Sequence, residues 1–354
     1  MRHKTRTIYV GVLPIGGEHP ISVQSMCNTD TRDVKKTLEQ IRQLEAAGCD
    51  LVRVAVPDKQ AVQALKQIVQ YSKTPIIADI HFDHKLAVLS LEAGAACVRI
   101  NPGNIRGRER FREVVLCAKD MKRAVRIGVN SGSLEQDLQD RFGLSTTSIV
   151  TSAKRAMEVP EKEGFTNFKV SLKSSNVPLT VQAYLEFARD TDVPLHVGIT
   201  EAGSEYAGSI RSAVGIGSLL LSGIGDTIRV SLTAEPVREA AAAWEILSAA
   251  GVRRRGVEII SCPTCARTEV DLISIAAQVE NECKKIESSK LSKITVAVMG
   301  CAVNGPGEAR TADFGIACGK KCGLIFSHGE IIKKVDEKIL VRELMKTIRE
   351  SIDV

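Results

Sequence analysis

Residues 21–56 read ISVQSMCNTDTRDVKKTLEQIRQLEAAGCDLVRVAV, and this stretch decides the fold. ISVQSM (21–26) is short and β-branched. VKKTLEQIRQLEAAG (34–48) repeats its apolar residues at helical spacing. DLVRVAV (50–56) returns to a β pattern. The unit recurs down the chain. Further strands are expected at PIIADI (75–80), ACVRINP (96–102), AVRIGVN (124–130), NFKVSLK (167–173), PLHVGIT (194–200) and TIRVSLT (227–233). The last is followed by the helical VREAAAAWEILSAAG (237–251). Eight βα units predict a TIM (β/α)8 barrel. An open doubly wound sheet has the same element order, and only strand order separates the two.

These strands begin apolar and end polar. Near their C-terminal ends stand Arg53, Asp79 with His81, Arg99 with Asn101, Arg126 with Asn130, Lys173, Thr200 with Glu201, and Arg229 with Ser231. A spacing of two points both side chains of a pair to one face of the strand. A barrel gathers such ends on one rim, where its active sites form. Any one of these charges alone is as well explained by a surface ion pair. Five cations among them suit an anionic substrate, a diphosphate above all, because guanidinium groups grip phosphate oxygens in pairs.

The repeat stops at GVRRRG (251–256), read as a linker with a solvated basic triplet. The barrel is thus expected over 1–250 and a small α+β domain over 257–354. The second domain opens on VEIISCPTC (257–265) and continues through VDLISIAAQVENECKKI (270–286) and ITVAVMGC (294–301). It ends with FGIACG (314–319), GLIFSHGEIIKKV (323–335) and LVRELMKTIRESI (340–352). Cys262 and Cys265 have the CxxC spacing that lets two thiolates reach one metal centre. Cys301 precedes the Gly- and Pro-rich NGPGE, which ends on Glu308. Three thiolates and one exchangeable carboxylate would suit an iron–sulfur cluster. On spacing alone zinc is an equal rival, since Cys318 and Cys322 could supply a second pair. Cys27, Cys49, Cys97, Cys117 and Cys283 have no partner spacing and read as packing residues.

Composition narrows the class. Ten scattered cysteines fit a reducing compartment better than a disulfide framework. No apolar run approaches the ~20 residues of a membrane helix. The basic start lacks the apolar core of a signal peptide, so a cytoplasmic protein without a membrane partner is expected. A net charge of +6 spread over the chain, with 4% aromatics, gives no nucleic-acid signature.

Several stretches carry a family resemblance: KTRTIYVGVLPIGGEHPISVQSM (4–26), VRINPGNI (98–105), RIGVNSGSLE (126–135), GITEAG (198–203), SCPTCART (261–268) and GCAVNGPGEA (300–309). Together they resemble the bacterial, two-domain 4-hydroxy-3-methylbut-2-enyl diphosphate synthases. These are iron–sulfur oxidoreductases of the methylerythritol phosphate route to isoprenoids. The resemblance implies a [4Fe–4S] cluster on Cys262, Cys265, Cys301 and Glu308. It implies binding of 2-C-methyl-D-erythritol 2,4-cyclodiphosphate by Arg53, Arg99, Arg126, Asn130, Lys173, Thr200, Arg229 and Ser231, with Glu201 as catalytic acid/base. The implied reaction is reductive ring opening and dehydroxylation to 4-hydroxy-3-methylbut-2-enyl diphosphate. Reduced flavodoxin or ferredoxin is the expected electron donor, and a homodimer the expected assembly. Two other classes stay open on the residues alone. One is a class I aldolase with Lys173 as its Schiff-base lysine. The other is a non-redox barrel carrying a structural zinc module.

Overall fold

The computed structural model describes residues 2–105, 107–268, 270–286, 294–301 and 311–352. The chain divides into two compact units between Arg253 and Arg254. The first unit opens with a hairpin, β1 (Ile8–Val10) and β2 (Leu13–Ile15), paired antiparallel. Eight parallel strands follow: β3 (Ser22–Met26), β4 (Leu51–Ala55), β5 (Ile76–Ile80), β6 (Cys97–Ile100), β7 (Ala124–Asn130), β8 (Phe168–Lys173), β9 (His196–Val197) and β10 (Thr227–Ile228). Their order is β8-β7-β6-β5-β4-β3-β10-β9, and a Val170↔Leu195 bridge joins the two ends. The sheet is therefore a closed barrel and not a doubly wound sheet.

The intervening helices are α1 (Val34–Ala46), α2 (Lys59–Tyr71), α3 (His84–Glu92), α4 (Arg108–Asp120), α5 (Gln136–Phe142), α6 (Thr146–Lys162), α7 (Val177–Arg189), α8 (Glu205–Leu221) and α9 (Pro236–Ala249). Several start on a side-chain cap. Asp33, Asp58, Asp83 and Asn176 each accept from a backbone N–H of the first turn, which satisfies donors that the helix itself leaves free. The outward residues of the strands, such as Val52, Val54, Val98, Ile100, Val170 and Leu172, pack against the apolar helix faces.

β9 and β10 are much shorter than PLHVGIT and TIRVSLT suggest. Beyond Val197 and Ile228 the chain leaves the ladder to form rim loops, while the Arg229 N–H still donates to the Val197 carbonyl at 3.1 Å. The hairpin has its own task. Ile8, Val10 and Ile15 pack against Leu51, Ile77, Cys97 and Ala124, which lie at the starts of β4 to β7. It thus floors the barrel at its N-terminal end. Gly16 makes the tight exit possible: its φ is 87°, and a Cβ there would lie 2.2 Å from the Arg6 carbonyl oxygen.

Arg254 and Arg255 are exposed, but Arg253 departs from the reading of a solvated basic triplet. Its guanidinium donates to Asp50 at 2.6 and 3.1 Å and to the Ile21 carbonyl, and lies 4.6 Å over the Trp244 ring. It is an anchor for the end of the barrel.

The second unit is a five-stranded mixed sheet in chain order: β11 (Glu258–Ser261), β12 (Thr295–Met299), β13 (Phe314–Gly319), β14 (Cys322–Ser327) and β15 (Glu330–Asp336). Helices α10 (Leu272–Cys283) and α11 (Leu340–Ile352) share one core with Val296, Val298, Phe314, Ile316 and Ile325. No helix among the described residues is long and apolar enough to cross a membrane.

The floor makes a testable contribution to stability. Ile15 is fully buried. Ile15→Ala should lower barrel stability by about 2–5 kcal/mol through lost burial and the cavity left behind. The shift of the barrel transition in urea would measure it.

Candidate active site

Alternation along the strands sends every second side chain into the barrel, and here many of those are charged. One hydrogen-bonded row sets Asp79, Arg99, Arg126 and Lys169 side by side across β5 to β8. Arg53, Arg99, Arg126 and Lys173 are all buried, and each electrostatically opposes another's charge. Burial and the neighbouring cations push Arg126 down to about 10 and Arg53 well below its ordinary value.

Asp79 is the local counter-ion. Its carboxylate lies 3.3 Å from Arg99 Nη1, 3.8 Å from Arg53 Nε and 3.4 Å from His81 Nε2. Burial works against its ionisation, yet Arg53, the His81 hydrogen bond and Arg99 hold the carboxyl far below the usual range. Arg53 Nε also meets Met26 Sδ at 3.0 Å. The Asn130 amide, turned so that its oxygen faces the guanidinium, accepts from Arg99 Nη2 at 3.1 Å. Arg229 is held by the buried Glu239 through two contacts of 3.3 Å, and Glu239 also accepts from Ser25 Oγ and the Leu232 N–H. Arg126 is the least satisfied of these: its Nε and Nη1 have no partner among the described residues, whereas Arg99 lacks one only at Nε.

Lys173 ends β8 with its amine turned inward, 3.2 Å from His196 Nε2. Thr200, Glu201 and Ser231 lie on the loops beyond β9 and β10, with Glu201 exposed and at φ 52°. A left-handed backbone at a non-glycine residue is uncommon and fixes how that loop turns. Space inside is made by glycines. A Cβ on Gly128 would lie 2.7 Å from Arg99 Nε, and one on Gly198 would lie 2.7 Å from Lys173 Nζ.

Sequence reasoning missed Lys169, His196 and Glu239. Lys169 had a signal, because KVSL in NFKVSLK alternates and places Lys169 on the same face as Lys173. Glu239 had none, since it sits on a helix and reaches the barrel only through tertiary packing.

In the second unit the two CxxC thiols are accessible and amide-rich. Cys262 Sγ accepts from the Gly300 N–H at 3.1 Å. The Arg267 backbone N–H lowers the Cys265 thiol, with the Thr268 hydroxyl adding to it and the nearby Cys301 opposing it. Amides donating to sulfur stabilise thiolates and the anionic cluster they would hold, so this donor set fits an iron–sulfur group. Glu308 lies outside the described residues. Among those residues, no three His, Cys, Asp or Glu side chains gather to hold a metal ion.

The suggested second pair fails on geometry. Cys318 pairs with Gly323, and Cys322 with Gly319, so the two cysteines point to opposite faces of the hairpin. Cys318 is a core residue whose thiol burial pushes up to about 12. Cys27 and Cys49 are likewise buried, with burial pushing both up to about 12.

A cationic barrel mouth and a separate unit with amide-supported thiols define an anion-handling barrel protein fitted for a thiolate-bound metal centre. Residues 5–244 match the GcpE TIM-barrel domain and residues 258–350 the GcpE protein C-terminal domain, so the chain belongs to the GcpE family of enzymes. It is 54% identical over 349 residues to the 4-hydroxy-3-methylbut-2-en-1-yl diphosphate synthase (flavodoxin) of Aquifex aeolicus, covering 98% of this chain and 97% of that one. The Geobacter sulfurreducens protein of the same name is 51% identical, covering 99% and 100%. The one from Caldanaerobacter subterraneus is also 51% identical, covering 99% and 98%. Among solved structures, Xanthomonas albilineans dihydropteroate synthase aligns at TM-score 0.50 and 13% identity, covering 70% of this chain and 99% of that one, a likeness of fold alone.

Lys169 gives a pH-dependent prediction. It is fully buried, and burial pushes its amine down to about 8, with Arg126 adding to the effect. The native chain therefore holds its proton less tightly than the unfolded one, whose lysine titrates near ~10.4. Charged Lys169 destabilises the fold in full below pH 8, and the penalty fades as pH rises to about 10.4. Lys169→Met should raise the melting temperature at pH 7 by several degrees, and the gain should shrink toward pH 10. Thermal unfolding across that range checks both.

Proposed function

We propose that this chain catalyses the reductive ring opening and dehydroxylation of 2-C-methyl-D-erythritol 2,4-cyclodiphosphate to 4-hydroxy-3-methylbut-2-enyl diphosphate. The observation that carries the reading is Arg126, buried among Arg53, Arg99 and Lys173 with two guanidinium nitrogens that have no partner among the described residues. Asp79 balances only part of that charge, and Glu239 is taken up by Arg229. A multiply charged anion balances the rest, and a diphosphate offers paired oxygens to guanidinium forks.

In this reading Arg53, Arg99, Arg126 and Lys173 bind the diphosphate, and Asp79 and Asn130 hold the guanidinium groups in place beforehand. Arg229, Ser231 and Thr200 complete the rim. Glu201, on its strained loop, moves the proton. Preorganised cations are most effective where negative charge develops, here on the phosphate oxygen released by ring opening. Cys262, Cys265, Cys301 and Glu308 would hold a [4Fe–4S] cluster, which when bound supplies electrons one at a time. Its electron donor is a reduced flavodoxin, as in the names of the relatives, or a ferredoxin. The protein acts in the cytoplasm as a homodimer. Tyr206, Ile210, Val214 and Leu221, exposed along α8, support a protein partner there. An aldolase would leave the thiolate set without a role, and the opposed directions of Cys318 and Cys322 weigh against the zinc module.

Anaerobically prepared protein should carry about four irons and four sulfides per chain and little zinc. Glu308→Gln should lose cluster or turnover far more than Glu330→Gln. A colourless protein with stoichiometric zinc would overturn the reading. Arg126→Leu should raise KM by about one to two powers of ten, the worth of a charge-assisted contact of ~1.5–3 kcal/mol. Arg126→Lys should recover little of this, because an ammonium cannot form the planar pair.

A further inference from the structure

Lys173 is more elaborately housed than an anion-binding lysine requires. Its amine meets His196 Nε2 at 3.2 Å, and His196 Nδ1 lies 2.7 Å from Thr227 Oγ1. His196 and Thr227 are direct neighbours in the β9–β10 ladder. The ring is fully buried. Its backbone is pinned by the Tyr184 hydroxyl, which donates to the His196 carbonyl at 2.6 Å and accepts from the Leu172 N–H at 2.9 Å. Gly198 leaves the amine its room.

The groups around this unit are overwhelmingly cationic. Arg53 comes from β4, Arg99 from β6, Arg126 from β7 and Arg229 from beyond β10, with Lys169 on β8 itself. The carboxylates in reach of these cations are already shared: Asp79 with Arg53 and Arg99, Glu239 with Arg229, and Asp226, which acts on Lys169, with Arg2. Burial and then the arginines, Arg126 first, push the Lys173 amine well below its ordinary value. Burial, and then the cations around it, led by Lys173 when protonated, do the same to His196. An anion seated among the arginines reverses the balance at Lys173, because it adds negative charge beside the amine.

We propose that Lys173, His196 and Thr227 form a proton-uptake unit: the Lys173 amine is neutral in the anion-free barrel, takes one proton from solvent when a diphosphate binds, and passes the new N–H to His196 Nε2 as a hydrogen bond. This rests on the reading of the barrel as a diphosphate site. The balance is simple. A solvent or buffer acid loses a proton, the amine becomes an ammonium, and the bound anion offsets the added charge. An ammonium has no lone pair, so Nε2 must accept and the ring proton must sit on Nδ1, donated to Thr227 Oγ1. His196 is thus a positioning residue, and the barrel gains its last cation only when an anion is present to hold it.

Calorimetric titration of the full chain with inorganic pyrophosphate, in buffers of differing ionisation enthalpy, reads the protons exchanged. The wild type should take up about one proton more per site than Lys173→Met, which cancels any proton lost by pyrophosphate itself. His196→Gln keeps an acceptor and should retain most of the uptake, whereas His196→Leu should lose it. Equal proton counts in the wild type and Lys173→Met, with both binding, would overturn the proposal. Failure of the wild type to bind pyrophosphate would overturn the diphosphate reading and this inference with it. Long-range nitrogen–proton spectra of the complex give a second readout among the six histidines. The signal lost in His196→Gln should show a proton on Nδ1 and no titration from about pH 5.5 to 8.5. A protonated ring, or a proton on Nε2, would refute the assignment.

Discussion

Too much positive charge inside one barrel is the constraint on which the rest of this structure depends. Arg53, Arg99, Arg126, Lys169 and Lys173 are buried within a single ring of strands, and Asp79 is the carboxylate set directly among them. Like charges in a medium less polar than water repel strongly. Such an arrangement persists only where surrounding packing fixes it, and the outer helices provide that packing. The hairpin floor adds to it by filling the N-terminal end with Ile8, Val10 and Ile15. The proposed anion would supply compensating charge at the C-terminal mouth, where barrel active sites form.

Three of the basic side chains in the barrel are aimed by specific partners. Asp79 and Asn130 orient Arg99, Glu239 orients Arg229, and His196 takes the Lys173 amine. Gly128 and Gly198 are part of the same device, since a methyl group at either would collide with a charged side chain. Arg126 is left with donors that have no partner among the described residues, which is what supports the proposed anion there.

The second unit follows a different physical logic. Its sheet is covered on one face by α10 and α11, while Cys262 and Cys265 follow the end of β11, where backbone amides and a hydroxyl meet their sulfurs. Thiols so supported contrast with Cys318, whose burial favours the neutral form. Chemically equivalent residues thus divide into donor-supported and buried thiols by their local surroundings.

The sequence by itself determined the eight βα units, because strand and helix periodicities differ and each element is long enough to show its own. It also marked Arg53, Arg99, Arg126 and Lys173, since a charge interrupting an apolar strand near its C-terminal end is a local signal. The CxxC pair was legible for the same reason. Only the tertiary structure decided that the sheet closes, because the Val170↔Leu195 bridge joins strands with an intervening helix between them. It alone brought Glu239 from α9 to Arg229, Asp50 to Arg253, and His196 to Lys173. It also turned Cys318 and Cys322 to opposite faces, against what their spacing suggested. Periodicity and motif spacing are properties of neighbours along the chain, whereas charge compensation is settled between residues that only folding makes neighbours.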